Sequence, residues 1–392
     1  MVTLSSAENA LKSVYLGVVA NQLNINANPL LGKIKQSTKD VWGKEVRKMA
    51  PYGINGGIGA GAETDALPKA AGNNYVQFVT DLKNLYGKIE LSDKAIRASE
   101  NNAGAFVNLL NDEMEGLIKA SSFNFGRMLY GDGSGLLATV ESFADGAATV
   151  DTVKNLIEGM VIDVYTAGTK NESKSGARIK YVDRINKKVF TENNVTLEVG
   201  DKIYVQNSKD FEITGLGKIF SNSEELYGLS RSEFPWLAPY TKENAGEISD
   251  GLIQSAIDFL EEFSGSTVNY IACSSAVRRA YQEYLGAYRR NIDVQELAGG
   301  YKAISYNGIP LVADRFVADD TMYLLNTDHF TLHQLCDWKW LEGEDGRVIR
   351  QNAGFPTYSA TLVKYADLIC DKPNGQAKIS GISSTVKNPF AV

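Results

Sequence analysis

The chain has only two histidines, and both stand near a cysteine. His329, His333 and Cys336 follow the spacing H-x-x-x-H-x-x-C in the stretch TDHFTLHQLC. On a helix the two imidazoles would share one face and could hold zinc. The stretch follows a predicted strand, however, and extended backbone would separate the two rings by about 13 Å. We therefore expect ordinary polar residues of a turn and strand, and a metal-dependent enzyme remains a remote alternative.

A second candidate for chemistry is the Gly-rich stretch GGIGAGAE, residues 56–63. A P-loop would need a Lys followed by Ser or Thr at the start of a helix, and neither follows here. A dinucleotide fingerprint would need a preceding strand and a following helix. The expected context is a helix before the stretch and a loop with Pro68 after it. The sequence therefore predicts no nucleotide site, and we expect neither a cofactor, a metal site nor catalytic activity.

Composition limits the class of protein further. The 392 residues are 44% hydrophobic and 22% charged, which is typical of a soluble globular protein with two or three domains. No run is long enough for a transmembrane helix, and the N-terminus lacks the basic segment of a secretory signal, so we expect a cytoplasmic protein. Three widely spaced cysteines, Cys273, Cys336 and Cys370, argue against a disulfide framework, and each is expected to be a small buried residue.

The charge distribution is uneven. The formal net charge is −7, which argues against tight DNA binding by the whole chain but allows DNA to lie close by. Residues 30–50 have the opposite balance, because six basic residues there face only Asp40 and Glu45. Two interpretations stay open for this segment: a solvated face, or an arm that contacts an acidic partner or nucleic acid.

Several elements can be placed from periodicity and turn signals. Apolar spacing predicts helices over residues 4–24, 103–130 and 251–264, and the second would extend roughly 40 Å before Gly131 and Gly133 end it. Between the first two helices, residues 51–74 have little to bury. Alternating apolar residues from Tyr75 to Leu91 then predict a long, exposed β-hairpin.

The second half of the chain reads as two β-rich units. Short strands separated by turn signals over 155–220, including FEITGL, predict a small antiparallel insert resembling a barrel. VNYIAC should be a buried strand, and Ser274 should cap the helix after it. Asn307-Gly308 predicts a tight hairpin before the strand TMYLL, and TLVKYADLIC is expected to be the last strand.

The order of these elements is similar to that of the major capsid proteins of tailed bacteriophages, whose fold is shared with encapsulin shell proteins. The resemblance is carried by residues 66–99 (ALPKAAGNNYVQFVTDLKNLYGKIELSDKAIRAS), 102–135, 270–285 (YIACSSAVRRAYQEYL) and 306–330 (YNGIPLVADRFVADDTMYLLNTDHF). It implies an α+β fold with an N-terminal arm, an extended β-hairpin loop, a long spine helix in a peripheral domain, an axial α/β domain and an inserted β-rich domain. The implied boundaries are 1–60 for the arm, 61–100 for the loop, 101–151 for the peripheral domain, 152–220 for the insert, 221–330 for the axial domain, and 331–392 for the return to the peripheral domain and the tail.

The same resemblance implies a function. The chain would be a structural subunit that self-assembles, as pentamers and hexamers of identical subunits, into an icosahedral shell around double-stranded DNA, without sequence-specific binding and without a membrane. A separate scaffolding protein and a portal protein would be its partners, and assembly would occur in the bacterial cytoplasm. An encapsulin-like compartment is the alternative, although the long Gly-rich arm and the β insert favour a phage shell. The loop expected to lie across a neighbouring subunit would make its contacts through Glu63, Asp65, Leu67, Pro68, Lys69, Tyr75 and Phe78.

Overall fold

The computed structural model describes residues 28–64, 66–94, 103–287, 294–297, 301–343, 346 and 348–383, with backbone alone over 103–112, 294–297 and 301–303. The helix predicted over residues 4–24 lies outside this part of the chain. Four α-helices are described, which are α1 Ala103–Tyr130, α2 Leu216–Ile219, α3 Asp250–Phe259 and α4 Ser275–Ala287. No helix of the described ranges is long and apolar enough to cross a membrane.

The strands of the described residues, in chain order, are β1 Lys35–Ser37, β2 Val41–Trp42, β3 Glu45–Tyr52, β4 Asn74–Asp81, β5 Lys83–Ser92, β6 Leu136–Ala144, β7 Ala147–Val150, β8 Val161–Thr166, β9 Thr169–Lys170, β10 Ala177–Asp183, β11 Lys188–Thr191, β12 Lys202–Val205, β13 Glu225–Leu226, β14 Leu229–Ser230, β15 Tyr240–Lys242, β16 Gly246–Glu247, β17 Tyr270–Cys273, β18 Val294–Leu297, β19 Tyr301–Tyr306, β20 Ile309–Ala313, β21 Met322–Leu325, β22 Phe330–Trp340, β23 Arg350–Gln351, β24 Thr357–Cys370, β25 Ala377–Ile379 and β26 Ile382–Ser383.

The largest core lies between the long helix α1 and a five-stranded sheet. In that sheet β24 is central and pairs with β22, β23 and β5, while β1 adds to β22 in parallel. Helix α1 buries Met114, Ile118, Phe125 and Leu129 at helical spacing. Its bounds match the predicted helix, because the apolar period continues to Tyr130 and glycines follow. Helix and sheet approach closely at Gly87, where a Cβ would lie 2.9 Å from Leu117 Cδ1.

A second core belongs to a seven-stranded mixed sheet with the order β15-β25-β21-β17-β20-β19-β18. Helices α3 and α4 contribute to this core, and all four residues of β17 are buried, as predicted. Ser274 Oγ accepts a hydrogen bond from Val277 N at 3.1 Å, which confirms the predicted cap of α4. Asn307 and Gly308 have φ values of 48° and 80°, and they join β19 to β20 as the predicted hairpin turn.

The β insert is a closed barrel with a core of its own. Six antiparallel strands form a ring in the order β8-β10-β11-β7-β6-β12, which closes because β12 pairs with β8. The predicted barrel is therefore present, but its first strands, β6 and β7, precede residue 152. The strand predicted for FEITGL is wrong, since this segment runs irregularly into α2. Gly215 explains the difference: a Cβ there would lie 2.2 Å from Met128 O, so this segment packs on the end of α1 instead of joining the sheet.

Two predicted strand arrangements are corrected by the structure. The alternating segment from Tyr75 to Leu91 is not a hairpin, because β4 pairs with β3 and β5 pairs with β24. The chain passes from one sheet to the other at Leu82, whose N donates a hydrogen bond to Lys44 O at 2.8 Å. Likewise, TLVKYADLIC is not the last strand: β25 follows it and returns to the seven-stranded sheet beside β21 and β15. Alternation identifies a half-buried strand but does not identify its partner.

Candidate intersubunit hairpin

The hairpin formed by β3 and β4, from Glu45 to Asp81, spans the residues predicted to contact a neighbouring subunit. Its strands pair over eight residues, from Glu45 opposite Asp81 at the root to Tyr52 opposite Asn74. Residues 53–73 connect them and form the tip, which contains GGIGAGAE. Along the strands, one face carries the buried side chains of Val46, Ala50, Val76 and Phe78, and the other face is exposed or partly exposed. The hairpin is therefore amphipathic, as strand periodicity dictates.

Both strands of the hairpin are fixed to the core by apolar packing along their length. Phe78 is fully buried, and its ring centroid lies 5.2 Å from that of Tyr227 and 6.1 Å from that of Trp236. Tyr52 stacks on the same Trp236, with a centroid distance of 5.6 Å. Phe78, predicted to contact a neighbouring subunit, therefore lies inside its own subunit and anchors the hairpin.

Two carboxylates of the β24 region add polar links to the root. Asp367 is fully buried and accepts hydrogen bonds from Thr80 Oγ1 at 2.6 Å and from Thr214 N at 2.6 Å. Burial raises its pKa, although these hydrogen bonds act in the opposite direction. Asp371 lies 2.9 Å from Lys48 Nζ on β3. Burial would raise the pKa of Asp371, but hydrogen bonds from His329 and Lys48 outweigh burial and lower it.

The tip has a different character, since its large apolar side chains are open to solvent. Leu67 is 90% exposed, Ile58 75% and Ile54 74%, and Tyr75, beside the tip on β4, is 53% exposed. Four of the predicted contact residues, Glu63, Leu67, Pro68 and Lys69, are exposed in the tip. Asp65 lies outside the described residues. Ile54 and Ile58 were missed by the sequence prediction, and their signal was the presence of isolated large apolar residues in a Gly-rich run.

The tip is held in shape by its own contacts. Asn55 Oδ1 accepts a hydrogen bond from Gly57 N at 2.9 Å, and Asn55 Nδ2 donates to Asn73 Oδ1 at 3.0 Å. The two limbs lie so close that a Cβ on Gly57 would be 3.2 Å from the backbone N of Ala71, and one on Gly59 would be 3.0 Å from Pro68 Cγ. Neither Gly57 nor Gly59 has a positive φ. These glycines therefore permit close approach of two chain segments.

The two histidines occupy separate environments near the hairpin root. His329 Nδ1 lies 2.8 Å from Asp371 Oδ1 in the turn before β22. His333, on β22, is buried with Nδ1 3.0 Å from Lys39 O, and burial lowers its pKa. Cys336 is half-buried beyond a register shift of β22. In the part of the chain that the structure describes, no three His, Cys, Asp or Glu side chains are placed to hold a metal ion together.

Comparison with solved structures identifies the fold. A chain in the capsid asymmetric unit of cyanophage A-1(L) matches with a TM-score of 0.54 and 13% sequence identity, over 92% of this chain and 92% of that chain. A chain of the holo-SrpI encapsulin complex from Synechococcus elongatus PCC 7942 matches with a TM-score of 0.50 and 9% identity, over 93% of this chain and 90% of that chain. No protein-family model and no curated protein sequence matches. The chain thus has the α+β fold that phage capsid proteins and encapsulin shells share, as the resemblance implied.

Proposed function

We propose that this chain is the structural subunit of an icosahedral shell that encloses the double-stranded DNA of a tailed phage. The observation that carries the proposal is the β3–β4 hairpin: its root is locked into the subunit, whereas its tip presents Ile54, Ile58 and Leu67 to solvent. Burying these three side chains on a partner would remove apolar surface from water, which supports an interaction site at the tip. In a chain with a capsid fold, the fitting occupant is the surface of a neighbouring identical subunit.

The contact would be head-to-tail, because the tip of one subunit would meet a different surface of the next. Head-to-tail contacts generate closed rings when the rotation between subunits closes, which accounts for pentamers and hexamers. Burying one Leu or Ile side chain contributes about 1.5–3 kcal/mol. Each hairpin would therefore contribute a modest contact, and the shell would be stable because many such contacts act together.

The remaining assignments follow from the same proposal. Residues 1–60 would form the arm, 61–100 the loop, and 101–135 with 331–370 the peripheral domain. Residues 221–330 with β25 would form the axial domain, and the insert would span 136–220, since β6 and β7 belong to the barrel. A separate scaffolding protein would direct assembly in the bacterial cytoplasm, and a portal protein would occupy one vertex. We assign no catalytic role, no cofactor, no membrane contact and no sequence-specific DNA contact to the subunit.

An encapsulin-like compartment is the second candidate, because the SrpI encapsulin chain has a similar fold over nearly the whole length. The barrel insert and the long Gly-rich segment favour the phage shell in our proposal. The contents of native particles separate the two: DNA supports the phage shell, whereas a co-purifying cargo enzyme without DNA supports the compartment.

The direct test is assembly of the purified protein with a matched loop variant. We expect the wild-type chain, alone or with its scaffold, to form large particles or capsomers visible by electron microscopy. Replacing residues 56–71 with a short Gly-Ser linker should leave the subunit folded, since the root contacts of Phe78 and Lys48 remain. The variant should form no closed shells. Normal particles from the variant would show that the tip is not the clamp.

A further inference from the structure

A cluster of lysines around one exposed tryptophan has no role in the hairpin clamp. Lys33, Lys35, Lys39 and Lys44 are all exposed, and among the described residues none of them is seen in an ion pair. Trp42 lies among them in sequence and is 71% exposed. We call these five residues the basic corner.

Backbone contacts hold the basic corner in one place beside the sheet. Lys35 lies on β1 and pairs with Thr331 on β22. His333 of β22 contacts Lys39 O at 3.0 Å, so the chain is fixed again four residues later. Lys44 follows Gly43 in the tight turn between β2 and β3, and Lys44 O accepts from Leu82 N. Lys35 and Lys39 can be at most about 13 Å apart along extended chain, and Lys39 and Lys44 flank Trp42 closely in sequence.

The neighbouring charges leave this corner positive. The basic residues Arg47 and Lys48 are already engaged, with Glu45 at 2.9 Å and with Asp371 at 2.9 Å. Asp40 and Asp81 are the exposed carboxylates on the adjoining turn and strand, and among the described residues they offset only part of the charge of the four lysines. The corner is therefore a positive site on a chain whose formal net charge is −7.

We propose that the basic corner binds the phosphate backbone of the DNA enclosed by the shell, an inference that rests on the proposed function. Lysines are point charges without the fork of arginine, so they suit sequence-independent phosphate contacts. The core of a protein interface is usually depleted in lysine, which disfavours a protein partner. Trp42, which lies between Lys39 and Lys44 in sequence and is exposed, can lie against a sugar of the DNA backbone. The affinity per subunit is low, and repetition over the shell makes the contact effective.

The test measures binding of a fluorescein-labelled 20-base-pair duplex to dispersed full-length subunits below their assembly concentration. Four phosphate contacts predict a slope of about −3.6 for log K against log salt, or roughly 150-fold weaker binding at 200 mM than at 50 mM salt. Replacing the four corner lysines by Gln should abolish this slope. A control variant carries four Lys→Gln changes at exposed positions elsewhere, and it should keep the salt-dependent slope. These positions are Lys88, Lys119, Lys180 and Lys202.

A second readout uses tryptophan fluorescence. The other three tryptophans are packed against the core or buried, so a fluorescence change on DNA binding should be lost in Trp42→Phe. Equal binding by the corner and control variants would overturn the proposal. So would equally strong competition by poly-glutamate at matched charge, which would identify an acidic protein partner.

A binding measurement on closed shells shows whether the basic corner faces the inside or the outside of the shell. A duplex too large to enter should not bind intact shells, although it binds dispersed subunits. Binding to intact shells that is lost with the four lysines would place the corner outside and contradict a contact with enclosed DNA. If the protein forms normal shells but its dispersed subunits bind no DNA, the DNA contact is refuted and the proposed function is not. If the subunits bind DNA but never assemble, the proposed function is refuted and the DNA contact is not.

Discussion

Replacing Leu67 by Ser separates assembly from folding. Leu67 is 90% exposed in the subunit, so its loss should change the free energy of unfolding by no more than about 0.5 kcal/mol. On a neighbouring subunit the same side chain would be buried, and its removal would cost about 1.5–3 kcal/mol for each contact. With one tip donated by each subunit, the concentration at which shells appear should rise about 10- to 150-fold.

The assay is light scattering against protein concentration, with electron microscopy to verify that the scattering particles are shells. Urea denaturation of dispersed subunits measures stability separately. Val199→Ser is the matched control, because Val199 is a 74% exposed apolar residue that lies on the barrel and not on the tip. An assembly threshold for Leu67→Ser within twofold of the wild type, or equal to that of Val199→Ser, would refute the clamp.

Three further variants test the contacts that support the hairpin. Phe78→Ala should destabilise the subunit by about 3–5 kcal/mol in urea denaturation, because it opens a cavity beside Tyr227; an unchanged midpoint would contradict the anchoring role. Gly215→Ala should cost about 3 kcal/mol or more, since its Cβ would clash with helix α1, and normal stability would rule out this close packing. Asp371→Asn should be less stable than wild type at pH 7, where the carboxylate is ionised. Because the folded pKa of Asp371 is lowered, wild type should lose this advantage as pH falls through that pKa. A difference that persists in acid would argue against the link with Lys48.

The fold could be predicted where the sequence pattern lies within a single element or turn. Helix α1 was placed correctly because its apolar period and its terminating glycines lie in the helix sequence itself. The cap at Ser274 and the Asn307-Gly308 turn depend on two to four adjacent residues. Pairing between distant strands could not be read in this way, since β4 alternates in the same manner whether its partner is β3 or β5.

In the candidate site, too, local features could be predicted from the sequence, whereas features that depend on distant segments could not. Alternation indicates that Tyr75 and Phe78 face opposite sides of β4, but only the partner sheet decides which one is buried. The role of Gly59 was also invisible from sequence, because it depends on Pro68 returning along the other limb of the tip. The low content of large side chains predicts a tip that cannot form a core of its own. The exposure of Ile54 and Ile58 became clear only from the structure.

The most direct measurement is an electron cryomicroscopy reconstruction of particles assembled from the full-length chain, with its scaffold if needed. The account predicts closed shells of pentamers and hexamers in which Ile54, Ile58 and Leu67 of each subunit pack on a neighbour. Subunits that stay monomeric under all conditions, or shells whose hairpin tips contact nothing, would contradict it.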